Sequence, residues 1–320
     1  MKKNFNRQGI VLLEILVASA LFLVLAGSIS GLLIAGLNGL QTAKLRQRAQ
    51  IYAQQAVEAV ISIQDRAWNE LRFNQSGLQE VGGQWQLRGE GTQDQKGDLM
   101  RTLYFFPLYR DANLNLVSSS SPLSQIDLHS LKLTVYVRQA TSSKLLAQYS
   151  RLLSDWRSQS WQQSDWSGGG GQVVWQEENR YYQDGGNLEV QADGSLVLKE
   201  VATSTFATSS WIISSAYHLN ASNGLGVIEW QEDLPPDCPS CHIKLFIKTA
   251  PDDNGLPGSW SNTWCGPEGE DGDETDYFLE ANGSLVHTDH NGDSWIKYKA
   301  VLEGDGSHSP ILRQIKIYYQ

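Results

Sequence analysis

Cysteine is scarce in this sequence, and its three residues, Cys238, Cys241 and Cys265, all lie in the last third of the 320-residue chain. The protein is therefore not a disulfide-dense scaffold. Proline is also rare, with 9 residues and no regular glycine period, which excludes a collagen-like chain. Aromatic residues make up 10% of the chain and charged residues only 19%, so the chain is predicted to be folded. Its length suits two domains.

Basic residues are few in the carboxyl-terminal half. Residues 172–320 hold 8 Lys and Arg side chains against 23 Asp and Glu, a net charge of −15. Because a phosphate backbone would be repelled, we expect no nucleic acid or anionic lipid to bind this acidic part.

Recognisable catalytic motifs are absent too: the sequence has no GxSxG, no HExxH and no phosphate-binding glycine loop. We therefore predict a non-enzymatic protein, although carboxylates placed across a cleft, as in a glycosidase, stay open at this level. The histidines of the acidic half are predicted to be surface or loop residues: His218, His242, His287, His290 and His308.

One long hydrophobic run is present at the amino terminus. Residues 10–37 contain a single ionisable group, Glu14, and are preceded by Lys2, Lys3 and Arg7. About 20 apolar residues cross a bilayer as a helix, and a cleavable secretory signal has an apolar core of only about 7–15. The run therefore predicts a single-pass membrane helix, with its basic end in the cytoplasm and the rest of the chain outside.

Glu14 is the unusual residue of this run, because a carboxylate inside a membrane costs about 2.5–3.5 kcal/mol unless it has a partner. Gly9 ends the basic leader, and Glu14 lies five residues after it. In a polymer, a freed amino group on Ile10 of a neighbouring subunit would supply the opposite charge.

The constellation of a basic leader, Gly9, and then IVLLE resembles the class III signal of type IV pilins and pseudopilins. The resemblance implies that a membrane prepilin peptidase cuts after Gly9 and methylates Ile10, and that Glu14 is the fifth-position glutamate used in assembly. The implied partners are that peptidase, other pilin subunits and the inner-membrane assembly machinery. Ile10 and Leu12 replace the more frequent Phe and Thr of that family.

Beyond Asn38 the apolar residues follow one helical face. They are Leu45, Ala49, Tyr52, Ala56, Val60, Ile63, Ala67 and Leu71. We predict one helix over 10–72, about 90 Å long, with an apolar first half for a filament core and an amphipathic second half that carries a head.

The rest of the chain predicts β structure, so the fold class is α+β. Alternating segments at 84–88, 101–109, 131–139 and 145–153 predict a small antiparallel β head over 73–166. A Gly-rich linker is predicted over 167–187. Three tryptophans spaced by five, Trp156, Trp161 and Trp166, either form a ligand platform or cover the edge of a sheet.

Residues 188–320 predict an all-β sandwich of seven or eight short strands. Segments such as WIISSAYHL, GVIEW and PILRQIKIYY resemble a jelly-roll module of bacterial surface proteins, which implies a fold but no particular ligand.

Two acidic loops in this module suggest calcium. The first contains Asp271, Asp273 and Asp276, and the second contains Asp289 and Asp293. Clustered carboxylates suit Ca²⁺, but the spacing is not that of an EF-hand, so a solvated acidic loop is the alternative. No other cofactor is predicted.

The cysteines allow a redox pair, half a zinc site or a structural bridge. Because four zinc ligands are not evident and oxidation prevails outside the membrane, we favour one disulfide. It joins either Cys238 to Cys241 or one of them to Cys265.

Together these features predict a minor type IV pilin or pseudopilin, at a filament tip or sparse along the shaft, first in the cell membrane and then in an extracellular filament or at the cell surface. The alternative is a membrane-anchored surface adhesin that never polymerises and binds glycans through the jelly roll and the tryptophans. Whether the filament is a surface pilus or a pseudopilus stays open.

Overall fold

The computed structural model describes residues 7–111, 115–121, 124–155, 158–219, 224–273 and 275–320, with side chains from Glu14 onward. A single helix, α1, runs from Arg7 to Arg66, about 90 Å for its 60 residues. Ala67 then has an extended backbone (φ −159°), and a 3-10 helix follows over Trp68–Leu71.

The helix thus ends earlier than the predicted residue 72, because tertiary hydrogen bonds replace helical ones at this point. The Trp68 amide donates to the side chain of Gln320 (3.1 Å), and its indole donates to the Leu128 carbonyl (2.8 Å).

In the part of the chain that the structure describes, eight strands form the amino-terminal head. They are β1 (Gln75–Ser76), β2 (Leu78–Val81), β3 (Gln84–Leu87), β4 (Asp94–Lys96), β5 (Leu99–Arg110), β6 (Leu116–Val117), β7 (Gln125–Gln139) and β8 (Leu145–Ser154). The main sheet has the order β1-β5-β7-β8, with β4 and β6 also paired to β5, and β2 and β3 form a separate hairpin. The four strands that alternation predicted are present.

The head packs its sheet against the second half of α1. Leu103 on β5 and Leu133 and Val135 on β7 are fully buried, in one core with the apolar face of the helix. That face is rich in alanine, at Ala49, Ala53, Ala56 and Ala59. Small side chains let the helix backbone lie close to the sheet, which explains why this stripe has no heptad of large residues.

A buried ionic cluster joins the helix to the sheet. The Arg101 guanidinium on β5 lies 2.8 Å from Asp94 Oδ2, 4.0 Å from the Tyr52 ring centre, and donates to the Tyr52 carbonyl (3.0 Å). The Tyr52 hydroxyl donates to the same carboxylate. Burial and this hydrogen bond raise the pKa of Tyr52 above its ordinary value.

Fifteen strands belong to the carboxyl-terminal unit, counted over its described residues. They are β9 (Gln159–Gln163), β10 (Gln183–Asp184), β11 (Leu188–Val190), β12 (Leu196–Leu198), β13 (Glu200–Ala202), β14 (Thr205–Phe206), β15 (Ser209–Ile213), β16 (Tyr217–His218), β17 (Leu225–Asp233), β18 (His242–Ala250), β19 (Asp252–Asp253), β20 (Leu256–Pro257), β21 (Ser284–Leu285), β22 (Trp295–Glu303) and β23 (Ile311–Tyr319). Two further 3-10 helices span Gly269–Asp271 and Thr288–His290.

The longer of these strands build two antiparallel sheets around one core. In the first, β18 pairs with the whole of β22, which also pairs with β15 and β16, and β10 pairs with β15. In the second, β23 lies between β17 and the shorter β9 and β12, with β11 and β21 at the edges. Inward residues of both sheets, such as Leu245, Tyr298 and Ile315, share a single hydrophobic cluster. The α+β class is confirmed, whereas the jelly-roll connection stays a prediction.

The boundary between the units lies earlier than the sequence predicts. A head over 73–166 would include β9, but Trp161 on this strand is paired with Ile317 of β23 in the second unit. The boundary therefore falls between the end of β8 at Ser154 and the start of β9 at Gln159.

The predicted Gly-rich linker over 167–187 is also ordered. The Gly168 amide donates to Asn179 (2.8 Å), and the Gly171 amide donates to Tyr182 (2.8 Å). Gly169 (φ +78°) and Gly171 (φ +100°) take left-handed backbone angles, which glycine adopts without strain. These glycines make turns in a segment packed on the second unit, and composition alone misread them as flexible.

Hydrogen bonds connect the two units. Asn69 Nδ2 donates to Asn291 Oδ1 (2.9 Å) and to the Val286 carbonyl (3.1 Å), and Asn291 Nδ2 donates back to Asn69 Oδ1 (3.2 Å). The side chain of Gln320, the last residue, donates to Asp155 Oδ1 (2.6 Å). The end of the helix, the head and the second unit therefore share one set of buried polar contacts.

Candidate functional site

The first half of α1 presents apolar side chains on all its faces. From Glu14 to Lys44 every residue is exposed except Ala26, which is half-buried. The best 18-residue window has a mean hydropathy of 2.3, and none of it is buried. Such a helix is long and apolar enough to cross a membrane, which is compatible with anchoring, and an amino-terminal signal sequence would meet the same criterion.

Glu14 is the one charge in this half that the structure describes with its side chain. It is exposed, and it makes no ion pair or side-chain hydrogen bond with any residue of the described chain. The backbone of Gly9 and Ile10 is helical, the Ile10 side chain lies outside the described part, and Lys2 and Lys3 lie outside the described residues altogether. Among the side chains that the structure describes, the carboxylate of Glu14 has no cation that would lower its cost in a membrane.

The second half of α1, unlike the first, is packed against the head. It buries one face in the head core, and its Tyr52 takes part in the Arg101–Asp94 cluster. A buried ion pair whose polar atoms are all hydrogen-bonded holds a fixed geometry, since breaking it leaves an uncompensated charge. The exposed half of the helix is therefore attached firmly to the head.

The five aspartates predicted to bind calcium do not converge in the described chain. Asp271, Asp273 and Asp289 are exposed. None of the five belongs to a group of three His, Cys or carboxylate side chains within metal-binding distance, in the parts that the structure describes. The neighbouring Glu274 lies outside the described residues.

The two less exposed aspartates already have protein partners. Asp276 is buried and accepts hydrogen bonds from the amides of Gly266 (2.8 Å) and Glu268 (3.2 Å). Asp293 accepts from the Thr249 hydroxyl. These hydrogen bonds occupy carboxylate oxygens of Asp276 and Asp293 and hold the loops in place. The described residues therefore offer no preformed calcium site.

His290 is fully buried, contrary to the prediction of a surface or loop position. Its Nδ1 lies 2.9 Å from Thr249 Oγ1. Since that hydroxyl gives its proton to Asp293, we infer that His290 carries its own proton on Nδ1. Nε2 has no hydrogen-bond partner among the described residues. Burial lowers the pKa of His290 to about 4, so the ring is neutral at pH 7.

The disulfide is the first of the two pairings left open. Cys238 and Cys241 are bonded, with Cα atoms 5.3 Å apart. Cys265 is a free, buried cysteine on a segment that bridges to Ile247 of β18. Burial raises the pKa of its thiol, which makes it a poor nucleophile. Cys238 also lies near Asp305 and His308, but a disulfide sulfur is not a metal ligand of the thiolate type.

Two of the three repeated tryptophans are core residues. Trp161 stacks on Tyr217 with ring centres 5.0 Å apart, and Trp166 donates to the Tyr298 hydroxyl (2.9 Å). Both are buried, so neither can be a ligand platform. Trp156 lies outside the described residues.

Sequence reasoning missed a different set of aromatic and basic side chains. Trp260 and Trp264 lie over the outer face of the first sheet, next to Lys297 of β22, and Phe246 lies next to Lys299 of the same strand. The signal was the alternation of lysine with apolar residues in WIKYKAVLE, which places both lysines on one face of a strand.

No protein-family model, no curated protein and no solved structure matches this chain.

Proposed function

We propose that this protein is a non-enzymatic filament subunit of the type IV pilin or pseudopilin kind. The observation that carries the proposal is the division of α1. Its first half is apolar and exposed all round with one carboxylate, Glu14, while its second half is fixed to a folded head.

Assembly follows from this division. A lone helix with its apolar surface exposed is stable in lipid, and a bundle of such helices replaces lipid contacts with helix contacts. Removal of residues 1–9 would free an amino group on Ile10, about one helical turn from Glu14. In a bundle, Glu14 of one subunit neutralises the amino group of its neighbour, and this pairing sets the axial register.

The size of the exposed part bears on the position in the filament. The head and the second unit together span residues 68–320 and are joined by the Asn69–Asn291 amide pair. So bulky a subunit fits at a tip or sparsely along a shaft. The residue pattern is the same for a surface pilus and for a secretion or uptake pseudopilus.

The first test is the mass of the most amino-terminal peptide, from membranes and from sheared surface material. The proposal expects a peptide that begins at methylated Ile10. A peptide that retains Lys2 through Gly9 in every fraction would instead favour a membrane-anchored surface protein that does not polymerise.

The second test is Glu14→Gln, which removes the charge at nearly constant volume. We expect processing at Gly9 to persist while the amount of protein in sheared filaments falls at least about tenfold, because the register contact is lost. Ser19→Ala, in the same apolar half, is the matched control and should assemble normally. Normal incorporation of Glu14→Gln would contradict the register role.

A further inference from the structure

Half of the basic residues in 172–320 lie on one face of one sheet. Lys244 and Lys248 on β18, and Lys297 and Lys299 on β22, alternate with buried core residues and so point outward together. Lys248 is directly opposite Lys297 in the strand register. Two like charges directly opposite each other destabilise a sheet. The fold alone therefore does not explain why Lys248 and Lys297 are paired.

Aromatic rings cover these lysines. The Lys297 ammonium lies 4.0 Å from the Trp260 ring centre and 5.7 Å from that of Trp264. The Lys299 ammonium lies 5.6 Å from Phe246 and 5.9 Å from Trp211. Cation–π contacts of this kind hold a cation beside an apolar surface without neutralising it.

The four lysines differ in their other partners. Lys244 forms an ion pair with Glu303 (2.9 Å), and Lys248 donates to the Asn262 carbonyl (2.9 Å). Lys297 and Lys299 have no carboxylate within 4.0 Å among the residues that the structure describes. Burial lowers the pKa of both ammonium groups, and the neighbouring Lys248 contributes for Lys297. Two partly desolvated cations thus lack an anion.

A cleft opens beside Lys299. Its volume is about 500 Å³, within the range of small-molecule sites, and it is lined by Phe246, Asn262, Thr263, Trp264 and Lys299. This lining offers an apolar ring surface, an amide, a hydroxyl and an ammonium group. A sugar ring that bears a carboxylate has the complementary groups: an apolar face, hydroxyls and one negative charge.

The surroundings restrict the charge of the ligand. Residues 172–320 carry a net charge of −15, so a dense polyanion such as nucleic acid or polyphosphate would be repelled outside the cleft. A glycan with at most one carboxylate per sugar ring has a lower charge density than a nucleic-acid duplex, and it can place one carboxylate at the lysines while its hydroxyls face the rest of the cleft. This charge match favours a uronic acid over a phosphate polymer.

We propose that the cleft between the 260–264 segment and the outer face of β18 and β22 binds a uronic-acid-containing glycan, with Lys299 pairing the carboxylate and Trp264 stacking on the sugar ring. The site is independent of the assembly proposed for α1, since it lies wholly within the second unit.

The test measures binding to the full chain in detergent micelles by calorimetry. The probes are oligogalacturonate, oligomannuronate and a hyaluronan fragment, each compared with its carboxyl-reduced neutral counterpart. We expect at least one acidic oligomer to bind at least about tenfold more tightly than its neutral form, and more weakly at high ionic strength.

Three variants locate the site. Lys299→Gln removes the cation, and Asn262→Asp adds a negative charge on an exposed residue of the cleft lining, which repels the carboxylate of the ligand. Each should weaken binding at least about tenfold, since the first removes the charge-assisted hydrogen bond to the carboxylate and the second places a like charge beside it. Lys316→Gln is the matched control: Lys316 contacts the Tyr318 ring at 4.4 Å but lies in the other sheet, on β23, so its loss should leave affinity unchanged.

Other results would overturn the proposal. They are failure of all three acidic oligomers to bind, equal affinity for acidic and neutral forms, binding that survives both Lys299→Gln and Asn262→Asp, or a preference for a DNA oligonucleotide or polyphosphate. Because each can be seen with a correctly processed or an unprocessed chain, none depends on filament assembly.

Discussion

In the head, the buried cation Arg101 faces the carboxylate of Asp94, whereas Lys297 and Lys299 of the second unit face no carboxylate in the described chain. The second unit also buries His290, which burial keeps neutral. The head therefore uses paired charge to hold its helix in place. The second unit keeps His290 neutral, holds the buried Asp276 by hydrogen bonds from backbone amides, and leaves two lysines at a cleft without a carboxylate among the described residues, which is the arrangement that a ligand can use.

The largest expected effect comes from breaking the pair in the head. Asp94→Asn removes the negative charge and leaves Arg101, whose side chain is 3% exposed, without a counterion. We expect a loss of about 3–5 kcal/mol in the free energy of unfolding. The measurement is chemical denaturation of the full chain in mild detergent.

Two controls sharpen this prediction. The double change Asp94→Leu and Arg101→Met should recover only part of the lost stability, because it leaves no unpaired charge but removes the acceptor of the Tyr52 hydroxyl and the Leu78 amide. Lys299→Gln, which removes a cation that has no partner carboxylate in the described chain, should cost less than about 0.5 kcal/mol. A loss below about 1 kcal/mol for Asp94→Asn would mean that the two units do not differ in this way.

The next effect depends on pH. The pKa of His290 is about 4 in the folded protein and about 6.5 when unfolded, so the unfolded chain binds more protons between these values. The contribution of His290 to the free energy of unfolding is fully present above about pH 6.5. It falls by up to about 3 kcal/mol as the pH drops to about 4. Burial raises the pKa of Asp293, which acts in the opposite direction.

His290→Gln isolates the histidine, because Asp293 is present in both proteins. The variant should lose less stability than the parent between pH 7 and pH 4, by up to about 3 kcal/mol in denaturation curves at each pH. Parallel pH profiles for the two proteins would contradict a neutral, buried His290.

Local patterns predicted much of the fold. The apolar run and the one-sided alanine stripe indicated both halves of α1, and alternation indicated β5, β7, β8, β18, β22 and β23. These signals are local because a strand or helix face repeats every two or 3.6 residues. The helix end at Arg66 was not predictable, because it depends on Gln320, which is 252 positions from its partner Trp68.

The site was less predictable for the same reason. The segment DHNGD (289–293) is hydrophilic and indicates a surface loop. In the structure, His290 is nevertheless buried in contact with Thr249 of β18. The carboxylates that suggested calcium are close in sequence, but in the described residues no three of them come within metal-binding distance of one another. The lysine face needed the register of β18 against β22, which no single segment contains.

The smallest expected effect tests whether the two units, so different in their charges, unfold together. Asn69→Ala removes the hydrogen bonds to Asn291 and Val286, for a loss of about 1–3 kcal/mol. Asn291→Ala should cost a similar amount, and the double variant should cost less than the sum, by about 0.5–2 kcal/mol, since both lose one shared contact.

Calorimetry of the full chain carrying the double variant should resolve two transitions where the parent has one, because the head and the second unit keep separate hydrophobic cores. Strictly additive losses with an unchanged single transition would show that the amide pair does not couple the units.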